Sequence, residues 1–225
     1  MGGRLPVLVA VLVWAGTAVP GAGQQVGDFR EVSFPTSDGG VIFANLYGEG
    51  AHAVLLAHGA VFDKQSWDAV ARQLAAAGYR VLAIDFRGYG ESRAGRARGA
   101  LHEDVLGGIG YLRAQGAQRV SLIGASMGGG GVGNAASRAE AGAIDRLILL
   151  AAAPAQAPER MQGRKLFIVA SGDPARHAVQ RQYAAAREPK ELLILPGNAH
   201  AQHIFRTEHA AALTAALLAW LADTP

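Results

Sequence analysis

Three residues far apart in this chain have the types needed to turn a hydroxyl into a nucleophile: Ser126, Asp173 and His200. A serine hydroxyl is a poor nucleophile at neutral pH. A histidine that takes its proton during attack and returns it to the leaving group removes that barrier. A carboxylate behind the histidine fixes its tautomer and stabilises the imidazolium that forms. Ser126 lies in Gly124-Ala125-Ser126-Met127-Gly128, a Gly-x-Ser-x-Gly pentapeptide. Asp173 lies in Ser171-Gly172-Asp173-Pro174, and His200 in Gly197-Asn198-Ala199-His200. The pentapeptide alone is weak. With 30 glycines in 225 residues, chance supplies about 0.14 such matches. Its meaning depends on what surrounds it.

The surroundings read as follows. Val120 to Ile123 is a short apolar strand, and Gly129 to Ala136 is a helix of small residues. Strand, sharp turn with a serine at its tip, then helix is the layout of a nucleophile elbow. Earlier, Phe29–Phe34 and Val41–Tyr47 flank Ser37-Asp38-Gly39-Gly40, which predicts an antiparallel hairpin. Continuous apolar strands are predicted over 53–57, 80–84, 146–150, 165–170 and 191–195. Helices are predicted from a Ser66 cap to Ala77, over 100–115, from the elbow to about Ala141, over 174–187 and over 207–221. Apolar strands alternating with helices predict an α/β fold. It is a three-layer sandwich: a mostly parallel sheet with an N-terminal antiparallel hairpin and helices on both faces. Ligands bind such sheets at the C-terminal strand ends. Ser126, Asp173 and His200 each fall just past one, as does His58-Gly59-Ala60.

From the hairpin to the C-terminus the chain resembles the α/β-hydrolase superfamily, as a small serine hydrolase or esterase-like member. The motifs that carry the likeness appear in order: His58-Gly59-Ala60, Asp85-Phe86-Arg87-Gly88-Tyr89-Gly90-Glu91-Ser92, the Gly124–Gly128 elbow, the Ser171–Asp173 acid loop and the Gly197–His200 loop. The resemblance implies Ser126 as nucleophile, Asp173 as acid and His200 as base. It implies an oxyanion hole from the backbone N–H groups of Met127 and Ala60, with Val61 competing with Ala60. His203 competes with His200 as base, and Asp173 before Pro174 also reads as a helix N-cap. Val61, Phe62 and Tyr89 are candidate pocket residues, while Trp67 and Phe62 equally suit a core. His58 is expected to brace the oxyanion loop. Asp85, Arg87 and Glu91 are expected to hold a turn, and His52, His102, His177 and His209 to lie on the surface. Residues 151–164 are too short for the helical cap that larger relatives insert there, so an open, lidless site is expected.

The expected reaction is cleavage of a carboxylic ester or thioester through an acyl-enzyme, without metal or organic cofactor. Acyl transfer, amide cleavage and a non-catalytic ligand-binding role are the alternatives. The substrate is expected to be a small molecule or acyl ester. The net charge of +3, with only 17% charged residues, gives no basic stripe for nucleic acid. The cluster Arg93, Arg96, Arg98 reads as a solvated loop. Half the residues are apolar, which excludes disorder, and the lack of cysteine excludes disulfides and thiol chemistry. Residues 1–23 follow the three-part plan of a secretory signal peptide. They predict export to the periplasm or medium, with an uncleaved anchor as the alternative, ahead of one domain over 24–225 and with no stable membrane span after cleavage. Oligomeric state is not legible.

Overall fold

A computed structural model describes residues 29–222; the export segment predicted over 1–23 lies outside them. The elements in chain order are β1 (Arg30–Pro35), β2 (Val41–Tyr47), β3 (His52–Ala57), α1 (Asp68–Ala76), β4 (Arg80–Ile84), α2 (Leu101–Ala114), β5 (Arg119–Ala125), α3 (Met127–Ala136), β6 (Arg146–Leu150), β7 (Arg164–Ala170), α4 (Arg176–Ala185), β8 (Lys190–Leu195) and α5 (Ala210–Ala222). The strands form one eight-stranded sheet in the order β1-β2-β4-β3-β5-β6-β7-β8. β1 and β2 make the predicted hairpin, with Phe34 opposite Ile42, and β2 runs antiparallel to β4. Every later pairing is parallel. The predicted fold class is therefore the observed one.

The sheet winds outward in both directions from β3. From β3 the chain crosses to β4 on one side; from β4 it returns to β5 on the other. That reversal opens a crevice between the C-terminal ends of β3 and β5, the usual ligand position in such sheets. Residues of the central strands β3, β5 and β6 are almost entirely buried, so side chains on both faces are covered by helices. This is why their sequences are continuous apolar runs rather than alternating ones.

Helix ends differ from the predicted ones for local reasons. Asp63, not Ser66, caps the first helical segment: its side chain accepts from Ser66 N–H ahead of a 3-10 turn at Lys64–Trp67. The elbow helix stops at Ala136 rather than about Ala141. The single proton of the Ser137 hydroxyl is shared between the Gly133 and Ala157 carbonyls, at 2.9 and 2.8 Å, where the chain turns out of the helix. Pro174 lies before α4, not inside its first turn. The last predicted helix, 207–221, is observed as α5 starting at Ala210, and an unpredicted 3-10 turn, Ala201–Arg206, precedes it. Between β6 and β7, one short 3-10 turn at Pro158–Arg160 is the helical structure present. No helix among the described residues is long and apolar enough to cross a membrane.

Buried and half-buried polar groups stand at both ends of the sheet. Near the crevice, the Arg87 side chain is fully buried and bonds Asp104 and Asp38. Asp85 accepts from both Lys64 N–H and Lys64 Nζ, as expected of a turn-holding group, whereas Glu91 is exposed. At the opposite end, His52 is not the surface residue expected. Its Nε2 lies 2.8 Å from Ser121 Oγ, and its ring packs on Tyr79. Burial first, then the positive charge of Arg119, pushes its pKa down to about 4.

That shift has a pH consequence. The unfolded histidine titrates near 6.5, so between that pH and about 4 the unfolded chain binds the extra proton and the folded one does not. Stability from this site is therefore complete above 6.5 and declines as pH falls towards 4. The expected loss is about 2 kcal/mol by pH 4.5. Urea denaturation at pH 7 and 4.5 should show it, and His52→Gln should remove that part of the decline. Equal pH dependence in both proteins would refute the assignment.

Candidate functional site

Ser126 stands at the tip of a turn that only tight packing permits. Its φ is 51° and its ψ is −116°, a conformation that costs a non-glycine residue about 1–3 kcal/mol. The flanks hold it there. Ser126 N–H donates to the Leu150 carbonyl at 2.9 Å, and its own carbonyl accepts from Ala153 N–H at 2.8 Å. The glycines around it are close-approach positions. A Cβ on Gly128 would collide with the carbonyl oxygens of Ala57 and His58, and one on Gly124 with the Gly128 carbonyl. α3 therefore sits directly on the ends of β3 and β5, with its N-terminus at the crevice.

The structure brings the three candidate residues together. His200 Nε2 lies 2.8 Å from Ser126 Oγ. His200 Nδ1 lies 3.0 and 2.9 Å from the two Asp173 carboxylate oxygens. The Asp173 side chain is sealed from solvent while that of His200 is 39% exposed. The imidazole thus has a buried acceptor behind it and an open side in front. Strand pairing explains the meeting: Ala170 pairs with Leu195, and Gly172 N–H donates to the Gly197 carbonyl, zipping the two loops together. Asp173 Oδ1 also accepts from Ala175 N–H at 2.8 Å, a turn bond ahead of α4; the N-cap of that helix is Ala175, with no side chain capping it, so Asp173 is not the helix cap that Pro174 suggested. His203 is exposed, and its ring packs against Phe62.

The candidate oxyanion donors lie on the other side of Ser126. Met127 N–H opens α3, and neither it nor Ala60 N–H has an acceptor among the described residues. A Cβ on Gly59 would sit 3.5 Å from Ser126 Cβ, which places the 58–60 loop beside the serine. His58 holds the base of that loop. Its Nδ1 donates to the Gly59 carbonyl at 2.8 Å and its Nε2 accepts from Phe86 N–H at 3.2 Å. Burial lowers its pKa, so the ring stays neutral and both bonds persist. Tyr89 donates its hydroxyl to the Ala60 carbonyl at 2.9 Å, steadying the loop from outside. Gln202 was not foreseen. It is buried, its Oε1 accepts from Gly59 N–H at 2.7 Å, and its Nε2 donates to Ser66 Oγ at 2.7 Å. One amide thus clips the 58–60 loop to the loop that carries His200. No sequence signal marks a glutamine for that task.

A cleft of about 440 Å³ opens at Ser126. Met127, Gly130, Gly131 and Asn134 of α3 form its floor; Gly99, Leu101 and His102 form one wall, and Ala153, Pro154 and Gln156 the other. Val61, Phe62 and Tyr89 do not line it. Val61 is 80% exposed, Phe62 sits between His203 and Arg206, and Tyr89 braces Ala60. Trp67 is fully buried in the core. His102, expected on the surface, lines the cleft instead.

A second serine, histidine and aspartate meet at the far end of the sheet, but they cannot work as such a site. Ser121 Oγ and Asp145 Oδ2 both approach the same nitrogen of His52, at 2.8 and 3.6 Å. A relay needs them on opposite nitrogens. Ser121 is also wholly buried.

Comparison with known proteins agrees with this architecture. A family model described as alpha/beta hydrolase fold matches residues 52–182. A non-heme haloperoxidase from Rhodococcus erythropolis is 33% identical over 121 residues, covering 52% of this chain and 43% of that protein. The chain thus spans less than half the length of that curated relative. A CIB-like hydrolase from Thermoplasma acidophilum superposes with a TM-score of 0.71 at 24% identity, over 86% of this chain and 98% of that one. An esterase from Exiguobacterium antarcticum gives 0.72 at 15% identity, over 86% and 100%. With more than half of its length matched by the family model, the chain belongs to the α/β-hydrolase family.

Proposed function

We propose that this protein is a serine hydrolase that cleaves a carboxylic ester through an acyl-enzyme on Ser126. The observation that carries the reading is the continuous chain Ser126 Oγ, His200 imidazole, buried Asp173 carboxylate, with distances of 2.8 and 2.9 Å. Structural neighbours named as esterases agree with it at the level of fold.

In the first step His200 Nε2 takes the Ser126 proton as Oγ attacks the ester carbonyl. The carbonyl oxygen becomes an oxyanion held by the N–H groups of Met127 and Ala60, which are already oriented before reaction. Each such donor contributes about 3–4 kcal/mol to the lowering of the barrier. His200 then gives its proton to the alcohol oxygen as the carbon–oxygen bond breaks, leaving an acyl group on Ser126. Water, deprotonated by the same nitrogen, releases the acid and restores the serine. Asp173 keeps Nδ1 protonated throughout, so that Nε2 is the basic nitrogen.

A fluorophosphonate probe tests this without any guess of substrate, because it reacts with an activated serine. Labelling should be confined to Ser126 and absent from Ser126→Ala. Labelling elsewhere, or none, refutes the proposal.

Gln202 acts here as a positioning residue. Gln202→Ala leaves Gly59 N–H without its acceptor, removes the donor to Ser66 Oγ and frees the 58–60 loop. Loss of alignment of one oxyanion donor should reduce kcat by about tenfold, with KM changed far less, because the donor acts on the transition state. A change in KM alone would show that Gln202 serves only in shaping the pocket.

A further inference from the structure

The cleft at Ser126 changes chemistry along its length. Its near end is Met127, Leu101 and the bare backbone of Gly130 and Gly131; its far end carries His102, Asn134 and Gln156. Behind that far end stands Arg138. Its Nη2 donates to Gln156 Oε1 at 2.6 Å and its Nη1 to the Asn134 carbonyl at 2.9 Å. A guanidinium has five donors, and among the described residues no carboxylate pairs with this one. A basic residue at the end of α3 suits the helix dipole. The dipole does not call for a guanidinium fork ordered on an amide that lines a cleft. His102 shares the position: Glu103, its nearest carboxylate at 3.5 Å, is also bonded by Ser37 Oγ. Burial first, then the charge of Arg138, lowers the His102 pKa. The ring is therefore a neutral N–H donor at neutral pH.

The orientation of a bound ester follows from proton delivery. His200 must reach the leaving oxygen, so the alcohol portion lies on the His200 side, where Phe62 and His203 stack. His200 does not line the cleft, which leaves the cleft to the acyl portion. From Ser126 to Asn134 the helix rises about 12 Å, long enough for an extended medium-length acyl chain.

On the reading that Ser126 forms an acyl-enzyme, we propose that the cleft selects acyl groups ending in a carboxylate. The substrates are then half-esters of dicarboxylic acids, with Arg138 and His102 holding the free carboxylate at the far end while the ester carbonyl sits at Ser126. The methylene chain runs along the cleft from Ser126 past Met127, Gly130 and Gly131 towards Asn134.

The test compares mono-p-nitrophenyl adipate with p-nitrophenyl hexanoate, esters of similar length that differ in the terminal charge. The full chain should prefer the adipate ester in kcat/KM. Arg138→Gln should lower the ratio of adipate to hexanoate kcat/KM by about tenfold, the size expected when a charged hydrogen-bond donor is lost. Arg138→Lys should retain part of the preference, and added salt should erode it. No preference in the unaltered protein, or an unchanged ratio in Arg138→Gln, overturns the proposal. Calorimetric titration with adipate separates this proposal from the esterase reading. A protein that cleaves neither ester but binds adipate, and loses that binding in Arg138→Gln, refutes hydrolysis and keeps the anion site. A protein that cleaves hexanoate through Ser126 with no regard for the terminal carboxylate does the reverse.

Discussion

Ser126→Gly should abolish ester hydrolysis and yet make the protein more stable. The activity loss follows from removing the oxygen that lies 2.8 Å from His200 Nε2. When such a nucleophile is deleted, kcat typically falls by about 10⁴- to 10⁶-fold, because the remaining members of the group cannot act without it. The stability gain follows from the backbone. Ser126 has φ 51°, where a Cβ is strained and glycine is not. Relief of that strain should raise stability by about 1 kcal/mol, read as a higher urea midpoint. Ser126→Ala should be equally inactive but keep its Cβ, and with it the strain. Paired measurements of kcat and urea midpoint therefore separate the two effects. A glycine variant no more stable than the alanine variant would show that the turn is unstrained. Retained hydrolysis in either would remove Ser126 from the mechanism.

The second large effect concerns stability alone. Arg87 is buried between Asp38 and Asp104, and Asp104 also accepts from Arg87 N–H at 2.9 Å. The same guanidinium donates to the Ala97 carbonyl, so one side chain ties the 85–100 loop to α2 and to the β1–β2 turn. Burial alone would lower the Arg87 pKa, but its hydrogen bonds to Asp38 and Asp104 outweigh that and raise it. Asp104→Ala leaves a buried cation short of charge. It should destabilise the protein by about 3–5 kcal/mol, or roughly 10 °C in Tm for a chain of this size. Arg87→Met combined with Asp104→Leu should cost far less than the two single changes added together, since neither partner is then stranded. Additive losses would contradict this account. Asp38 supplies the acid-pH signature of the cluster. The hydrogen bond from Arg87 holds its pKa well below the ordinary 3.8. Its contribution is complete above that value and is lost as pH falls through the folded-state value.

The sheet and the three residues at its edge were legible because they obey long-range rules. Apolar runs bounded by turn chemistry mark buried strands. Functional loops follow their C-terminal ends, so Ser126, Asp173 and His200 could be placed without knowing how the loops fold. The cleft was not legible. Its walls come from the flank of α3, the start of α2 and the loop after β6, three segments whose mutual distance no sequence period encodes. In sequence, therefore, His102 is indistinguishable from a surface residue and Gln156 carries no mark, while Val61 and Phe62 stand next to Ala60. They point away from the cleft. His52 escaped for a related reason: its burial depends on Tyr79 and Ser121, which lie on other elements.

The helix behind the serine has one more implication, for when the proposed activity emerges as the chain folds. α3 contains glycine at 128, 129, 130, 131 and 133. At about 1 kcal/mol each relative to alanine, that run is too poor a helix former to hold its shape before β3, β5 and β6 are in place. The serine turn opens that helix, and the proposed first oxyanion donor, Met127 N–H, and the cleft floor belong to it. Refolding followed by circular dichroism and by ester turnover should therefore give two different time courses, with turnover reporting the close docking of this one segment.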